Sequence, residues 1–191
     1  VMEVRRIAPQ LSGFIGTSFL QRFHLLFDWE GQVLRLVPRP PRPRDADDAS
    51  DPPPWADARA AMSALPFLLL DDHLIVAPAR LNDHVTMAYV ASGMAGTAFT
   101  APLTTAAQAG LAAAGRLEGV GVGGSAALES VTASALCLGG WCRADMEGLV
   151  GFFPEELEWR YGFRIGALVG QEFLLGQRWL LDFDRMTMYL D

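Results

Sequence analysis

Ala167-Leu168-Val169-Gly170-Gln171-Glu172-Phe173-Leu174, continuing to Leu180-Leu181-Asp182-Phe183 and Met188-Tyr189-Leu190, repeats a pattern that the chain carries 154 positions earlier. There Gly13-Phe14-Ile15-Gly16-Thr17-Ser18-Phe19-Leu20 leads to Leu26-Phe27-Asp28-Trp29 and then Leu34-Arg35-Leu36. Aligned without a gap, the two stretches of twenty-four residues share Gly16/Gly170, Phe19/Phe173, Leu20/Leu174, Leu26/Leu180, Asp28/Asp182 and Leu36/Leu190. Chance at this composition gives roughly one or two such matches, so the stretch reads as a duplicated structural unit.

Each copy has a short physical reading. Two apolar residues and a glycine end a buried strand, and the next residues form a turn of helix with Phe-Leu facing inward. The apolar run then resumes as a hairpin bent at Trp29-Glu30-Gly31 or at Phe183-Asp184-Arg185. Asp28 and Asp182 recur at equivalent positions in that hairpin, which assigns them a role in the turn rather than in chemistry. Each copy closes something.

The sequence between the copies says what is closed. Residues 38–63 hold a linker: seven prolines from Pro38 to Pro54, the cluster Arg39, Arg42 and Arg44, and then Asp45, Asp47, Asp48 and Asp51. Such a stretch has little to bury and few donors for a ladder. A full set of β signals follows, beginning near Phe67 and ending at the second copy, whereas only twelve residues stand before the first. The expected organisation is therefore the C-terminal part of a first lobe over 1–37, the linker, and one complete lobe over 64–191.

Composition bounds the function. With 51% hydrophobic residues in 191, there is material for a sizeable core. The net charge of −7 argues against nucleic acid or an anionic membrane surface as partner. All fifteen basic residues are Arg, a trait of genome composition more than of function. No apolar run is long enough to span a bilayer. With Val at position 1 and no signal-peptide pattern, the native N-terminus is expected upstream.

Within the second lobe, residues 73–81 read as a strand, Asn82-Asp83-His84 as its turn and Val85–Val90 as the returning strand. A loop of small residues, Ala91-Ser92-Gly93-Met94-Ala95-Gly96-Thr97, comes next. Leu103–Ala114 is Ala-rich and predicts a helix capped by Gly115. Gly119-Val120-Gly121-Val122-Gly123-Gly124 follows, then strands around 128–132 and 135–138, a Gly139-Gly140 turn and a strand over 146–152. Cys137 and Cys142 would face each other in a non-hydrogen-bonded pair across that turn. A disulfide there would suit an extracytoplasmic protein, and two buried thiols fit the same spacing.

In this order the segments resemble the retropepsin-like aspartyl proteases, viral and bacterial, over about residues 67–190 and, for the end of a preceding lobe, about 1–37. The resemblance implies an all-β fold with short helices, in which each lobe is a pepsin-like closed β-barrel. The family's loop reads apolar-Asp-Thr/Ser-Gly-Ala/Ser, and its positions fall here on Val90-Ala91-Ser92-Gly93-Met94. Gly121, Val122, Gly123 and Gly124 then correspond to a peptide-binding flap. Ile15-Gly16 and Val169-Gly170 correspond to the motif that backs the catalytic loop.

The departure from the family is at Ala91. Aspartic proteolysis needs two carboxylates sharing a proton, one as base toward water and one as acid toward the scissile carbonyl. A methyl group does neither, and losing one member of a joint unit removes most of its rate enhancement. The chain is therefore expected to be a homologue that is inactive in this lobe and binds extended peptides. The alternative is an active aspartic endopeptidase whose carboxylate lies in an upstream lobe or at another position. The expected partners are a peptide or protein ligand and either a second copy of the chain or an upstream lobe. No cofactor and no metal is implied. Asp71-Asp72-His73 is the one ligand-like cluster and reads as a solvated loop, and the glycine run lacks the preceding strand that a phosphate loop needs.

Overall fold

The computed structural model describes residues 15–39, 59–121, 124–151, 153, 157 and 159–191. It is an all-β molecule with a few short helices. In chain order the elements are α1 (Thr17–Leu20), β1 (Phe23–Asp28), β2 (Val33–Pro38), β3 (Ser63–Pro66), β4 (Leu68–Leu70), β5 (Leu74–Leu81), β6 (His84–Val90) and β7 (Phe99–Ala101). They continue with α2 (Leu103–Gln108), β8 (Ala112–Gly121), β9 (Gly124–Leu138), β10 (Trp141–Val150), β11 (Ile165–Val169), α3 (Gln171–Leu174), β12 (Arg178–Asp182) and β13 (Thr187–Leu190). Among the described residues, no helix is long and apolar enough to cross a membrane.

The strands form two sheets. One has five strands in the order β2-β1-β12-β13-β3, and the other has eight in the order β4-β5-β6-β11-β7-β10-β9-β8. In the larger sheet β9 also pairs with β5, placing Arg80 opposite Cys137 and Leu81 opposite Leu136. The hydrogen bonding from β5 through β6, β11, β7, β10 and β9 thus returns to β5. Phe99, Leu81, Leu136, Leu138 and Val169 are fully buried in the core that both sheets share, each worth about 1.5–3 kcal/mol by removal from water.

The two similar stretches form matching elements. Helices α1 and α3 begin and end at equivalent residues. In the first hairpin Leu25 faces Leu36, Phe27 faces Leu34 and Asp28 faces Val33. Their counterparts Trp179 and Leu190, Leu181 and Met188, and Asp182 and Thr187 face each other in the second. The turns match as well, because Gln32 and its counterpart Met186 both take positive φ, 52° and 48°. In both turns the aspartate holds the backbone: Asp28 Oδ1 accepts from the Gly31 N–H at 2.9 Å, and Asp182 Oδ1 from the Arg185 N–H at 3.1 Å. This is the turn role expected of that pair.

The two hairpins join through β1 and β12, antiparallel, with Leu26 opposite Leu180. These two are themselves equivalent residues, and the flanking pairs Leu25–Leu181 and Phe27–Trp179 exchange under the same equivalence. The register thus has a local twofold whose axis passes between Leu26 and Leu180. Phe27 and Trp179 stack to one side of it, with ring centroids 3.6 Å apart and 9° between planes.

Three sequence expectations for the second lobe change. The helix predicted over Leu103–Ala114 stops at Gln108, and Gly110, at φ 58°, turns the chain out of it, so Gly115 is no cap. Ala112 and Ala113 instead pair with Thr132 and Val131; ladder hydrogen bonds override the helix preference of alanine, which is a weak prior. The two strands expected around 128–132 and 135–138 are one continuous β9. Ser63–Pro66, given no strand by its sequence, pairs with β13. The expectation of β5, its turn and β6 holds, as does the Gly139-Gly140 turn with Cys142 opposite Cys137. The alternatives left open there resolve as a disulfide.

Candidate functional site

The loop at residues 91–98 is held by the end of β11. That strand runs parallel to β6, with Val169 opposite Val90, and antiparallel to β7 on its other side. A parallel strand buried on both faces needs continuous apolar sequence, which Ile165-Gly-Ala-Leu-Val169 supplies. The Ala91 N–H donates to the Val169 carbonyl at 2.8 Å, and the Gln171 N–H donates to the Met94 carbonyl at 2.8 Å. The Gly170 N–H donates to the Ala98 carbonyl, also at 2.8 Å. Within the loop, the Met94 N–H reaches back to the Ala91 carbonyl at 2.9 Å, a tight turn that puts Ser92 and Gly93 at an exposed tip.

Gly170 is needed where it stands. A side chain there would meet Met94 Cε and the Thr97 carbonyl at 2.7 Å and the Met94 carbonyl at 2.8 Å. Its counterpart Gly16 has nothing within 4 Å among the described residues. Gly170→Ala is therefore expected to displace the loop and cost about 1–3 kcal/mol, while Gly16→Ala stays within about 0.5 kcal/mol of neutral. Urea unfolding of the two 191-residue variants decides it, and equal losses would show that the fit of the loop on Gly170 has been misread.

A cavity of about 240 Å³ opens beside the loop tip. Thr17 and Leu20 of α1, Tyr89 and Ala91–Met94, and the stacked Phe27 and Trp179 are among the residues that line it. No carboxylate is among the described residues that line it. Its polar side-chain groups are the hydroxyls of Thr17, Tyr89 and Ser92 and the Trp179 indole N–H, and burial raises the pKa of the Tyr89 phenol above 10.0, so it stays protonated. Such a surface can hold apolar groups and accept or donate hydrogen bonds, but it cannot move a proton by carboxylate chemistry.

The remaining sequence candidates lie elsewhere. Gly121 and Gly124 face each other at the end of the β8–β9 hairpin; Val122 and Gly123 lie outside the described residues, so the tip of the proposed flap does too. Val169 and Gly170 contact the loop that carries Ala91, whereas Ile15 is 67% exposed. Asp71 accepts from the Tyr161 hydroxyl at 2.7 Å and pairs with Arg160 at 3.0 Å at the surface, away from the cavity lining.

One cluster escaped the sequence reading. Asp182 is fully buried, 3.5 Å from His24 Nδ1, 3.2 Å from Arg59 and 3.1 Å from Arg185. Asp184 joins it, 3.1 Å from His24 Nε2 and 2.5 Å from Arg39. The ligand-type atoms of His24, Asp182 and Asp184 lie within 4.8 Å of one another, yet the guanidiniums of Arg39, Arg59 and Arg185 already contact the two carboxylates, so their charge is more than matched within the network. It ties the first hairpin and the segment before β3 to the second hairpin. The signal available in the sequence was the recurrence of Asp28 as Asp182; the partners come from four separate stretches of chain.

The fold and the loop define an all-β protein in which a buried parallel strand and a following glycine clamp a small-residue loop over an apolar cavity. Among solved structures, the chain is similar to a retropepsin-like aspartic protease from Rickettsia conorii, with 15% identity and a TM-score of 0.44. The match covers 68% of this chain and 98% of that one. No family model matches the sequence, and no curated protein does.

Proposed function

We propose that residues 64–191 are a retropepsin-like, pepsin-like barrel lobe that has lost its own catalytic aspartate and serves to hold an extended peptide. The observation that carries this reading is the setting of Ala91. It occupies the position where the family motif puts its aspartate, on a loop clamped to Val169, beside a cavity whose described lining has no carboxylate. The ring of pairings from β5 back to β5 supports the barrel. The β8–β9 hairpin supports the peptide role, because β8 ends its sheet and leaves one backbone edge for an added strand.

The test pairs binding with cleavage. Extended apolar peptides are expected to slow amide exchange in β8 and to be recovered intact at acid pH. Pepstatin-sensitive cleavage by the unaltered 191-residue chain would sink the proposal, and so would unchanged exchange in β8 at saturating peptide. Ala91→Asp in the same chain is expected to stay inactive, since a single carboxylate has no partner with which to share a proton.

A further inference from the structure

Three side chains line up in a row where β9 returns to β5. Arg80 of β5 is opposite Cys137 of β9, and Cys137 is opposite Cys142 of β10. Directly opposed residues share a face of the sheet, and this row is in contact throughout. The cysteines are joined in a disulfide, and Arg80 Nη2 donates to Cys137 Sγ at 3.0 Å and to Cys142 Sγ at 3.6 Å. Arg80 Nη1 donates to the Asn82 carbonyl at 2.5 Å. Among the described residues no carboxylate pairs with this guanidinium, so its charge is directed at two sulfurs and is not balanced by an acid. The two cysteines differ in access: Cys142 is exposed, and Cys137 is 0% exposed. The fold asks little of their bond, because the loop it closes is short and β9 and β10 already pair from the Gly139-Gly140 turn to Val150 opposite Glu129.

We infer that the disulfide of Cys137 and Cys142 is an exchange site for a small anionic thiol, in which Cys142 receives the incoming sulfur and Arg80 holds the departing thiolate of Cys137. The incoming thiol first gives its proton to solvent. Its thiolate then attacks Cys142 Sγ, so that a new S–S bond forms to Cys142 as the bond between Cys142 and Cys137 breaks. The electron pair of the broken bond stays on Cys137 Sγ. Access selects the sulfur attacked, because Cys142 meets water and Cys137 does not. The departing charge then appears 3.0 Å from a guanidinium, a setting that favours thiolate over thiol and so makes Cys137 the better leaving group. A second external thiolate attacks the mixed disulfide and releases Cys142 as a thiolate. Two external thiols are thereby oxidised to one disulfide, and the two cysteines take up the two electrons. The same guanidinium selects the reagent, since it attracts an anionic thiolate over one that carries an ammonium group.

None of the three residues lines the cavity beside Ala91, so this inference goes beyond the peptide-binding role and either can fail alone. The test follows reduction of the folded 191-residue chain by 2-mercaptoethanesulfonate and by cysteamine, two small thiols of opposite charge. Both are used at low ionic strength and equal thiolate concentration, with acid quenching and peptide mass analysis. The expected result is a rate that rises in proportion to thiolate and a mixed disulfide on Cys142. The preference for the sulfonate is expected to exceed that of the urea-unfolded chain by about tenfold and to fall at high salt. Arg80→Gln is expected to slow the sulfonate reaction of the folded chain by about tenfold and to leave that of the unfolded chain unchanged. A rate that does not rise with thiolate overturns the inference, because the bond would then open only on unfolding. So does a mixed disulfide on Cys137, or the same preference between the two thiols in the folded and unfolded chains. These three outcomes are read on the unsubstituted protein and need no variant to fold. A folded Arg80→Gln chain that reacts at the parent rate also overturns it.

Discussion

Phe173→Ala in the 191-residue chain is expected to cost about 3–5 kcal/mol of unfolding free energy, and Phe19→Ala, at the equivalent position, less than about 1 kcal/mol. Phe173 is fully buried under α3 and meets the Trp141 ring edge-to-face, with centroids 4.5 Å apart. Its removal leaves a cavity that the surrounding strands cannot close, since Arg143 fixes the end of α3 through the carbonyls of Glu172 and Phe173, each at 2.9 Å. Phe19 makes a tilted contact with Phe23 and is otherwise nearly half in water. Urea unfolding read by tryptophan fluorescence gives both values. Comparable losses at the two positions would mean that the first copy is already covered in this chain, contrary to its exposed face.

Asp182→Ala is expected to cost about 2–3 kcal/mol, because it removes the acceptor of several partly buried donors at once. Asp182 Oδ1 accepts from the N–H groups of Asp184 and Arg185, both at 3.1 Å, and Oδ2 accepts from Arg59 at 3.2 Å. Without the carboxylate those N–H groups lose their acceptor inside the turn, and the segment at Arg59 loses its anchor. Asp28→Ala removes one bond to the Gly31 N–H at a half-buried site and is expected to cost about 1 kcal/mol.

The same network sets a pH dependence. Burial lowers the pKa of His24 below 6.5, more than Asp182 and Asp184 raise it, while Arg39 and Arg185 push it further down. The folded protein thus resists protonating His24, and as pH falls below about 6.5 the unfolded chain takes up that proton first. The contribution of His24 is therefore complete above its ordinary pKa and declines on acidification. His24→Gln should flatten the stability profile in that window, and an unchanged slope would show that His24 does not titrate differently on folding.

Much of this fold could be read from residues alone where one property repeated at the right spacing. The closing units announced themselves because glycine, the Phe-Leu pair and the hairpin aspartate recur in step; in the second copy those positions are constrained by the loop against Gly170, a buried helix face and a backbone acceptor. The β5–β6 hairpin and the Gly139-Gly140 turn were legible from alternation and turn chemistry. Alanine misled at 112–114, since its helix preference is small beside a ladder of hydrogen bonds to β9. Ser63–Pro66 was silent because four residues ending in proline carry no strand pattern; only its pairing with β13 makes it a strand.

By itself, then, the sequence determined the matching pattern of the two stretches, the all-β class, the methyl group at Ala91 and the facing cysteines, because each is a local property of residue type and spacing. The tertiary structure alone decided the disulfide, the twofold pairing of Leu26 with Leu180 and the gathering of His24, Arg59, Asp182 and Asp184. It also decided which copy of the unit is buried. Burial and ion pairing depend on what long-range folding brings together, so two nearly equivalent stretches of chain meet opposite surroundings: Phe173 lies in a core and Phe19 on an uncovered face.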